Sequence, residues 1–406
     1  MKILMLKDYF YPEKCAGINL SLELVNELTK KGFTVDIYTP IPCRGIDDNI
    51  RAIYRKKKKE LIYDAVVYRY WLPYEGKSTL IRALRYFMQN CIQIWKGLST
   101  KYDLLFLGST PPTMGLVGAI LKKIKNKPFV YNVQDVFPDS LVTTGITKQG
   151  SLLWKIGSIV EKITYSSADR IIVISESFKT NLISKNVPEE KIVVINNWID
   201  TDAVYPVLKA NNSIYDEFNI PKDKYIILYA GNLGNAQGSD VILESADLLS
   251  EYDDILFVVF GGGSQFEEFK LKAKSRANLL VFDLLPSERV PEVYSLGDIA
   301  LITCKKGTGM AGMPSKTWSI MACNVPIIAS FDTDSDLARI LEQTDAGICV
   351  EPENAEHLSK VILDQYVNKN NVKCNARDYV VNNISKRHCT DTYIREFLNT
   401  ISMKER

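Results

Sequence analysis

Two stretches far apart in this chain repeat one pattern, and that repetition limits the folds open to it. From Lys2 to Thr39 an apolar strand (Ile3 to Leu6) runs into a loop with Gly17. A helix with Leu20, Leu24, Val25 and Leu28 on one face follows, then Lys31-Gly32 and a second strand, Phe33 to Tyr38. From Tyr225 the order recurs: strand Ile226 to Ala230, the turn Gly231-Asn232-Leu233-Gly234, a helix carrying Val241, Ile242, Ala246 and Leu249, and strand Ile255 to Phe260. A strand, glycine turn, helix and strand form the opening unit of a parallel sheet with crossover helices. Further apolar runs at Leu104 to Leu107, Phe129 to Val133, Ile171 to Ile174 and Ile192 to Ile195 extend the first half. Those at Leu279 to Phe282, Ile299 to Thr303 and Pro326 to Ala329 extend the second. The fold class is therefore α/β, with two Rossmann-like domains. Its 406 residues also exceed what one core usually organises.

Periodicity lapses between Asn197 and Pro221, where Pro206, Asn211-Asn212-Ser213 and Pro221 interrupt it. We divide the chain into 1–205, 206–384 and a C-terminal helix in 385–406 that packs back on the first domain. The eight cysteines are scattered without a Cys-x-x-Cys pair, as in a reduced, cytoplasmic protein without a structural metal. The N-terminal apolar run is too short for a signal-peptide core, and no apolar run reaches the length of a membrane span. Charge is uneven. The first 130 residues carry 22 Lys and Arg against 11 Asp and Glu, and the remainder 28 against 37. The first domain is thus expected to face an anionic surface. Lys56 to Lys59 and Lys122, Lys123, Lys125 and Lys127 form basic clusters. The segment Leu80 to Leu98 interleaves Tyr86, Phe87, Met88, Ile92 and Trp95 with Arg82, Arg85 and Lys96, as an interfacial helix does. Nucleic acid is the competing polyanion, but no nucleic-acid-binding motif accompanies the charge.

Ligands of parallel sheets bind at the carboxyl ends of strands, which directs attention to the loops there. Gly231 to Gly238 and Gly261-Gly262-Gly263-Ser264 follow adjacent strands, and a third loop, Gly307 to Lys316, ends in Pro314-Ser315-Lys316 before an apolar helix. None ends in the Gly-Lys-Ser/Thr of a P-loop, and Gly231 to Gly238 lacks the dinucleotide spacing, so a nucleoside diphosphate-sugar is favoured over ATP or NAD. A lysine opposing the helix dipole suits an anion held beside it, although a solvated lysine is the ordinary alternative. In the first domain, Asn132 to Asp139 places Gln134, Asp135 and Asp139 at a strand end, where an aspartate can also simply cap the next helix. Only His357 and His388 are present, so a histidine base is not expected.

YNVQDVFPDS at 131–140, IIVISESF at 171–178, INNWIDTDAVYP at 195–206, YAGNLGNAQG at 229–238, FGGGSQ at 260–265 and MPSKTWSIMACNVPIIAS at 313–330 together resemble the family 4 retaining glycosyltransferases of the GT-B fold. The similarity is to the O-antigen and capsule branch that includes N-acetylfucosamine transferases. It implies two Rossmann-like domains facing each other across a cleft. It departs from the family pattern where a glutamate pair is replaced by Ala311 and Ser319, a basic pair by Asn232 and Gln237, and a histidine by Gln134. The resemblance implies a UDP-sugar donor, a lipid-diphosphate-linked glycan acceptor and no metal cofactor. Lys316, Asp135 and Gln134 become the catalytic candidates. Donor contacts fall to Gly17, Gly231, Asn232, Gly234, Gln237, Gly262, Gly263, Gly312, Met313, Pro314, Ser315 and Ser319, with the base near Leu285. A sugar-nucleotide epimerase of the same architecture and a noncatalytic sugar-nucleotide-binding subunit remain as alternatives.

Overall fold

The computed structural model describes residues 1–15, 17–75, 79–143, 145–309, 312–369 and 374–405. The chain forms two units, Met1–Asn196 with Cys389–Arg406, and Asn197–His388.

The first unit is built on eight strands: β1 (Lys2–Leu6), β2 (Thr34–Pro40), β3 (Lys59–Ile62), β4 (Ala65–Tyr70), β5 (Leu104–Gly108), β6 (Phe129–Val133), β7 (Arg170–Val173) and β8 (Ile192–Val194). Their order is β3-β4-β2-β1-β5-β6-β7-β8, parallel except for β3 against β4. The second unit has six parallel strands: β9 (Tyr225–Asn232), β10 (Ile255–Gly262), β11 (Leu279–Asp283), β12 (Ile299–Thr303), β13 (Ile327–Ser330) and β14 (Gly347–Val350), in the order β11-β10-β9-β12-β13-β14. In β9 alternate residues enter opposite cores. Ile226, Leu228 and Ala230 join one apolar cluster, and Tyr225, Ile227 and Tyr229 the other. Both faces of that sheet are thus covered, which is why its strands read as unbroken apolar runs.

Each sheet reverses direction at its first strand. In unit 1 β1 lies between β2 and β5, and in unit 2 β9 lies between β10 and β12. The crossovers on either side of such a strand leave in opposite directions, so a crevice opens at its carboxyl end.

The unit boundary falls at Asn196, ahead of the 205 read from the sequence. The segment after it is stitched to the rest of unit 2 by hydrogen bonds to and from its main chain. The Ile199 N–H donates to the Ile384 carbonyl at 3.1 Å, and Arg377 donates to the carbonyls of Thr201 (3.1 Å) and Val204 (3.0 Å). Loss of periodicity marked the linker but not the side on which it would pack. The final helix spans Lys386–Glu405. Within unit 1, Phe397 lies 5.0 Å from the Phe106 ring, and Glu396 pairs with Arg170 at 2.5 Å.

Candidate functional site

In unit 2 the loops after β9 and β10 leave side by side, because Gly231 pairs in register with Gly261 and Asn232 with Gly262. The Leu233 N–H donates to the Gly262 carbonyl at 2.6 Å, and the Gln265 N–H to the Leu233 carbonyl at 2.9 Å, which locks the two turns together. Gly263 has φ +114°, and a Cβ on it would stand 2.2 Å from Asn232 Oδ1, so only glycine fits. The sequence reading placed Asn232, Gly234 and Gln237 on a donor. Here they satisfy one another: Gln237 Oε1 accepts from the Gly234 N–H at 3.0 Å and from Asn232 Nδ2 at 3.3 Å.

The loop after β12 is tied to the first. The Lys305 N–H donates to the Ala236 carbonyl at 2.9 Å, and the Thr308 hydroxyl to the same oxygen at 3.1 Å. Asp332, which follows β13 and which sequence inspection passed over, fixes it from beneath. Its two carboxylate oxygens accept from the Gly307 and Gly309 N–H groups, each at 2.8 Å. An acid directly after a buried strand is the signal that could have singled it out. Ala311, one of the two departures from the family's glutamate pair, lies outside the described residues. Gly312 and Pro314 are half-buried, Met313 packs against the core, and Ser315 is exposed before the helix Lys316–Ala322. Ser319 is half-buried on that helix. Leu285 is half-buried against the core, whereas its neighbour Leu284 is exposed beside Gly262.

Lys316, at the end of the third loop, reaches back to the end of β9. Its Nζ is buried, makes no hydrogen bond and lies 3.8 Å from the centre of the Tyr229 ring. Gly231 has φ +142°, and a Cβ there would stand 3.2 Å from that nitrogen, so the glycine makes room for the amine at the switch point. Burial lowers the Lys316 pKa from 10.5 to about 7. A desolvated amine without a counter-ion, beside a glycine turn at a sheet's carboxyl edge, can hold an anion such as a diphosphate.

In unit 1 the candidate residues are spread over several loops. Gly17 immediately precedes the helix Ile18–Lys30. The Gln134 N–H donates to Ser109 Oγ at 3.0 Å, linking the loops after β5 and β6. Asp135 is exposed and accepts from the Ser140 hydroxyl at 3.0 Å, while Asp139 is paired with Lys185 at 2.8 Å. At the end of β1 lies a pair the sequence reading missed. Asp8 is buried with neither carboxylate oxygen hydrogen-bonded, and burial pushes its pKa up to about 7 against the opposing pull of Gln89 and Arg85. Lys7 donates to Ser21 Oγ at 3.1 Å and is lowered by burial to about 8. Among the described residues no group of three or more His, Cys, Asp or Glu is placed to hold a metal ion.

Two parallel α/β units are the hallmark of the GT-B glycosyltransferases. The structure matches sucrose-phosphate synthase from Thermosynechococcus elongatus with a TM-score of 0.72 at 16% identity, over 99% of each chain. It matches Anabaena HepE, solved in complex with UDP, with a TM-score of 0.71 at 13% identity over 98% of this chain and 100% of HepE. The chain belongs to the family 4 glycosyltransferases. Residues 19–203 match the description Glycosyltransferase Family 4 and residues 211–387 the description Glycosyl transferases group 1. It is 26% identical to the putative colanic acid biosynthesis glycosyl transferase WcaI of Escherichia coli, over 99% of this chain and 100% of WcaI. It is 28% identical to the probable glycosyltransferase WbjE of Pseudomonas aeruginosa, over 64% of this chain and 65% of WbjE.

Proposed function

We propose that this glycosyltransferase moves a sugar from a UDP-sugar to a lipid-diphosphate-linked glycan during surface polysaccharide synthesis, with the basic unit 1 turned to an anionic membrane. The observation that carries the donor assignment is Lys316, whose buried amine makes no hydrogen bond and lies against Gly231 at the switch point of unit 2. The diphosphate would lie over the turns at Gly231 and Gly262 and the Gly312 to Lys316 segment. Anabaena HepE, solved with UDP and with UDP-glucose, and the colanic acid role in the name of WcaI support the nucleotide and the pathway class.

The chemical difficulty is departure of the nucleoside diphosphate. The bond from the anomeric carbon to the phosphate oxygen breaks while a bond to the acceptor oxygen forms on the same face, and the acceptor proton passes to a donor phosphate oxygen. Negative charge grows on the leaving group, and Lys316 with the surrounding main-chain N–H groups would meet it. With this cation in place the reaction is drawn without a metal. Gln134 and Asp135 would position sugar hydroxyls.

The test is a panel of UDP-sugars incubated with a short-chain lipid-diphosphate-linked sugar in the presence of a chelator, the products read by mass spectrometry. Transfer by the wild type and its loss in Lys316→Ala with folding intact are expected. Epimerised donor without transfer would establish the epimerase alternative, and binding without turnover the noncatalytic one.

A further inference from the structure

The helix Thr79–Ser99 is inside out for a soluble protein. Arg85, Gln89 and Gln93, spaced four residues apart and so on one side, are buried. Arg85 donates to the Pro73 carbonyl and to Cys43 Sγ, and Gln93 donates to the Lys7 carbonyl at 3.1 Å. The polar side is therefore committed to the interior of unit 1, and the apolar side faces out. Phe87 is 67% and Trp95 61% exposed, with Leu84 and Ile81 exposed about one and two turns before Phe87.

The next two helices of the layer continue this surface. On Met114–Lys125, which packs directly beside the first, Ile124 is 61% exposed. On Leu152–Ser167, packed against Met114–Lys125 in turn, Leu152, Ile156, Ile159 and Ile163 form an exposed row, Ile159 at 59%. A groove of about 520 Å³ between these two helices shares Ile120 and Ile163 in its lining, with Lys122, Lys123 and Lys191. Single exposed apolar residues are ordinary, but a contiguous set across three neighbouring helices is not.

Charge identifies what covers this face. The helices Thr79–Ser99 and Met114–Lys125 contain no acidic residue, and the single one in Leu152–Ser167, Glu161, is buried and paired with Lys185 at 2.7 Å. Lys123, Lys155 and Lys162 are exposed among the isoleucines. Asp169 in the groove is already paired with Lys122, so the charge left over on this surface is basic; an anionic leaflet offers phosphates to the lysines and hydrocarbon to the side chains between them. Among the described residues no helix is long and apolar enough to cross a membrane.

We propose that unit 1 is a monotopic bilayer anchor, in which Phe87, Trp95, Ile124, Ile156 and Ile159 enter the acyl boundary of an anionic leaflet while the lysines hold lipid phosphates. This deepens the reading of a lipid-carried acceptor: attachment is mainly by apolar insertion, and charge only assists. Tryptophan suits such a boundary because its ring is apolar and its N–H is not.

The full chain is floated with phosphatidylglycerol–phosphatidylcholine vesicles at about 0.1 M and about 1 M salt, between which electrostatic screening shortens from about 10 to about 3 Å. Wild type stays bound at both. Phe87→Glu with Ile156→Glu, substitutions at exposed positions that leave the core intact, weakens partitioning at least about tenfold. Brominated lipid quenches a fluorescence component that is missing in Trp95→Phe. The proposal is overturned if the chain does not bind, if high salt releases it completely while the double variant binds normally, or if sedimentation shows a wild-type dimer that the double variant dissociates. No sugar donor or acceptor enters this experiment, so its failure leaves the transfer reading standing. Transfer by the double variant to a detergent-solubilised acceptor checks that reading separately.

Discussion

The amine of Lys316 makes donor binding a proton-linked event. In the ligand-free chain its pKa lies at about 7, against 10.5 for a solvated lysine, because burial removes water and no anion replaces it. Within that window the unfolded chain holds the proton more firmly than the folded one, so this group's contribution to stability rises with pH from about 7 to 10.5. Binding carries the opposite sign. A diphosphate beside Nζ favours the charged amine, so the free protein takes up a proton on binding, and affinity falls as pH rises above about 7. Half the amines are charged at pH 7 and about 1% at pH 9, so affinity drops about 50-fold over that interval, or about 2.3 kcal/mol. UDP is a suitable probe, since its terminal phosphate is already ionised throughout, with a second pKa near 6.

Titration calorimetry in buffers of different ionisation enthalpy reads both quantities: uptake of about half a proton at pH 7, approaching one at pH 9. Lys316→Ala removes the linked proton and flattens the pH dependence, and lowers affinity at pH 7 by roughly 10- to 100-fold, the range for one charge-assisted hydrogen bond. Affinity for UDP that is flat from pH 7 to pH 9 in the wild type, or an alanine variant that keeps the wild-type slope, refutes the reasoning.

Gly231→Ala places a Cβ 3.2 Å from the Lys316 nitrogen at a φ of +142°; it is expected to fold, bind UDP at least about tenfold more weakly and lose the proton linkage, as followed by the same calorimetry. Asp332→Asn removes the charge that the Gly307 and Gly309 amides bond to, and their hydrogen-exchange protection falls about tenfold or more while that of β12 is unchanged. Asp8, raised to about 7 from 3.8, contributes stability that is full below pH 3.8 and lost as pH rises through 7. Asp8→Asn therefore raises the melting temperature at pH 8, where the buried carboxylate costs up to about 4 kcal/mol, and changes it little at pH 4, as checked by thermal melts at the two pH values.

The parallel sheets were legible because strands buried on both faces leave continuous apolar runs, as in Phe129–Val133 and Ile299–Thr303, whose observed bounds coincide with those read from the sequence. The strands that escaped notice break that rule for identifiable reasons. β4 carries Arg69 at a buried position, neutralised by Glu60 of β3 at 2.7 Å, so a pair lying across two strands appears in the sequence as two unrelated charges. β14 is a four-residue edge strand opening with Gly347. The glycine loops could be located by their position after strands. That Gln237 occupies the Gly234 amide, or that the Lys316 nitrogen lacks a partner, depends on side-chain directions that spacing does not carry.

Three features run against what folding alone favours, and their agreement argues for function. A lysine held near neutrality by burial, a carboxylate buried without a hydrogen bond and a helix with its glutamines inside each cost free energy that the chain's own packing does not return. The costs are not scattered. Lys316 and Asp8 stand at the carboxyl ends of β9 and β1, the two strands at which the sheets reverse, while the inverted helix bonds through Gln93 to the Lys7 carbonyl immediately before Asp8. In unit 1, then, the polar residues that line the end of β1 and the apolar residues that face outward are opposite sides of one helix. Turning that helix to hide Phe87 and Trp95 would withdraw Gln89 and Arg85 from Asp8, so the exposed face is a consequence of how the strand end is furnished. On this reasoning Gln89→Leu with Gln93→Leu, which makes both sides apolar, loosens the helix from unit 1 and raises hydrogen exchange at Lys7 and Asp8 without reducing UDP affinity. Unchanged exchange there would break the link between the two sides.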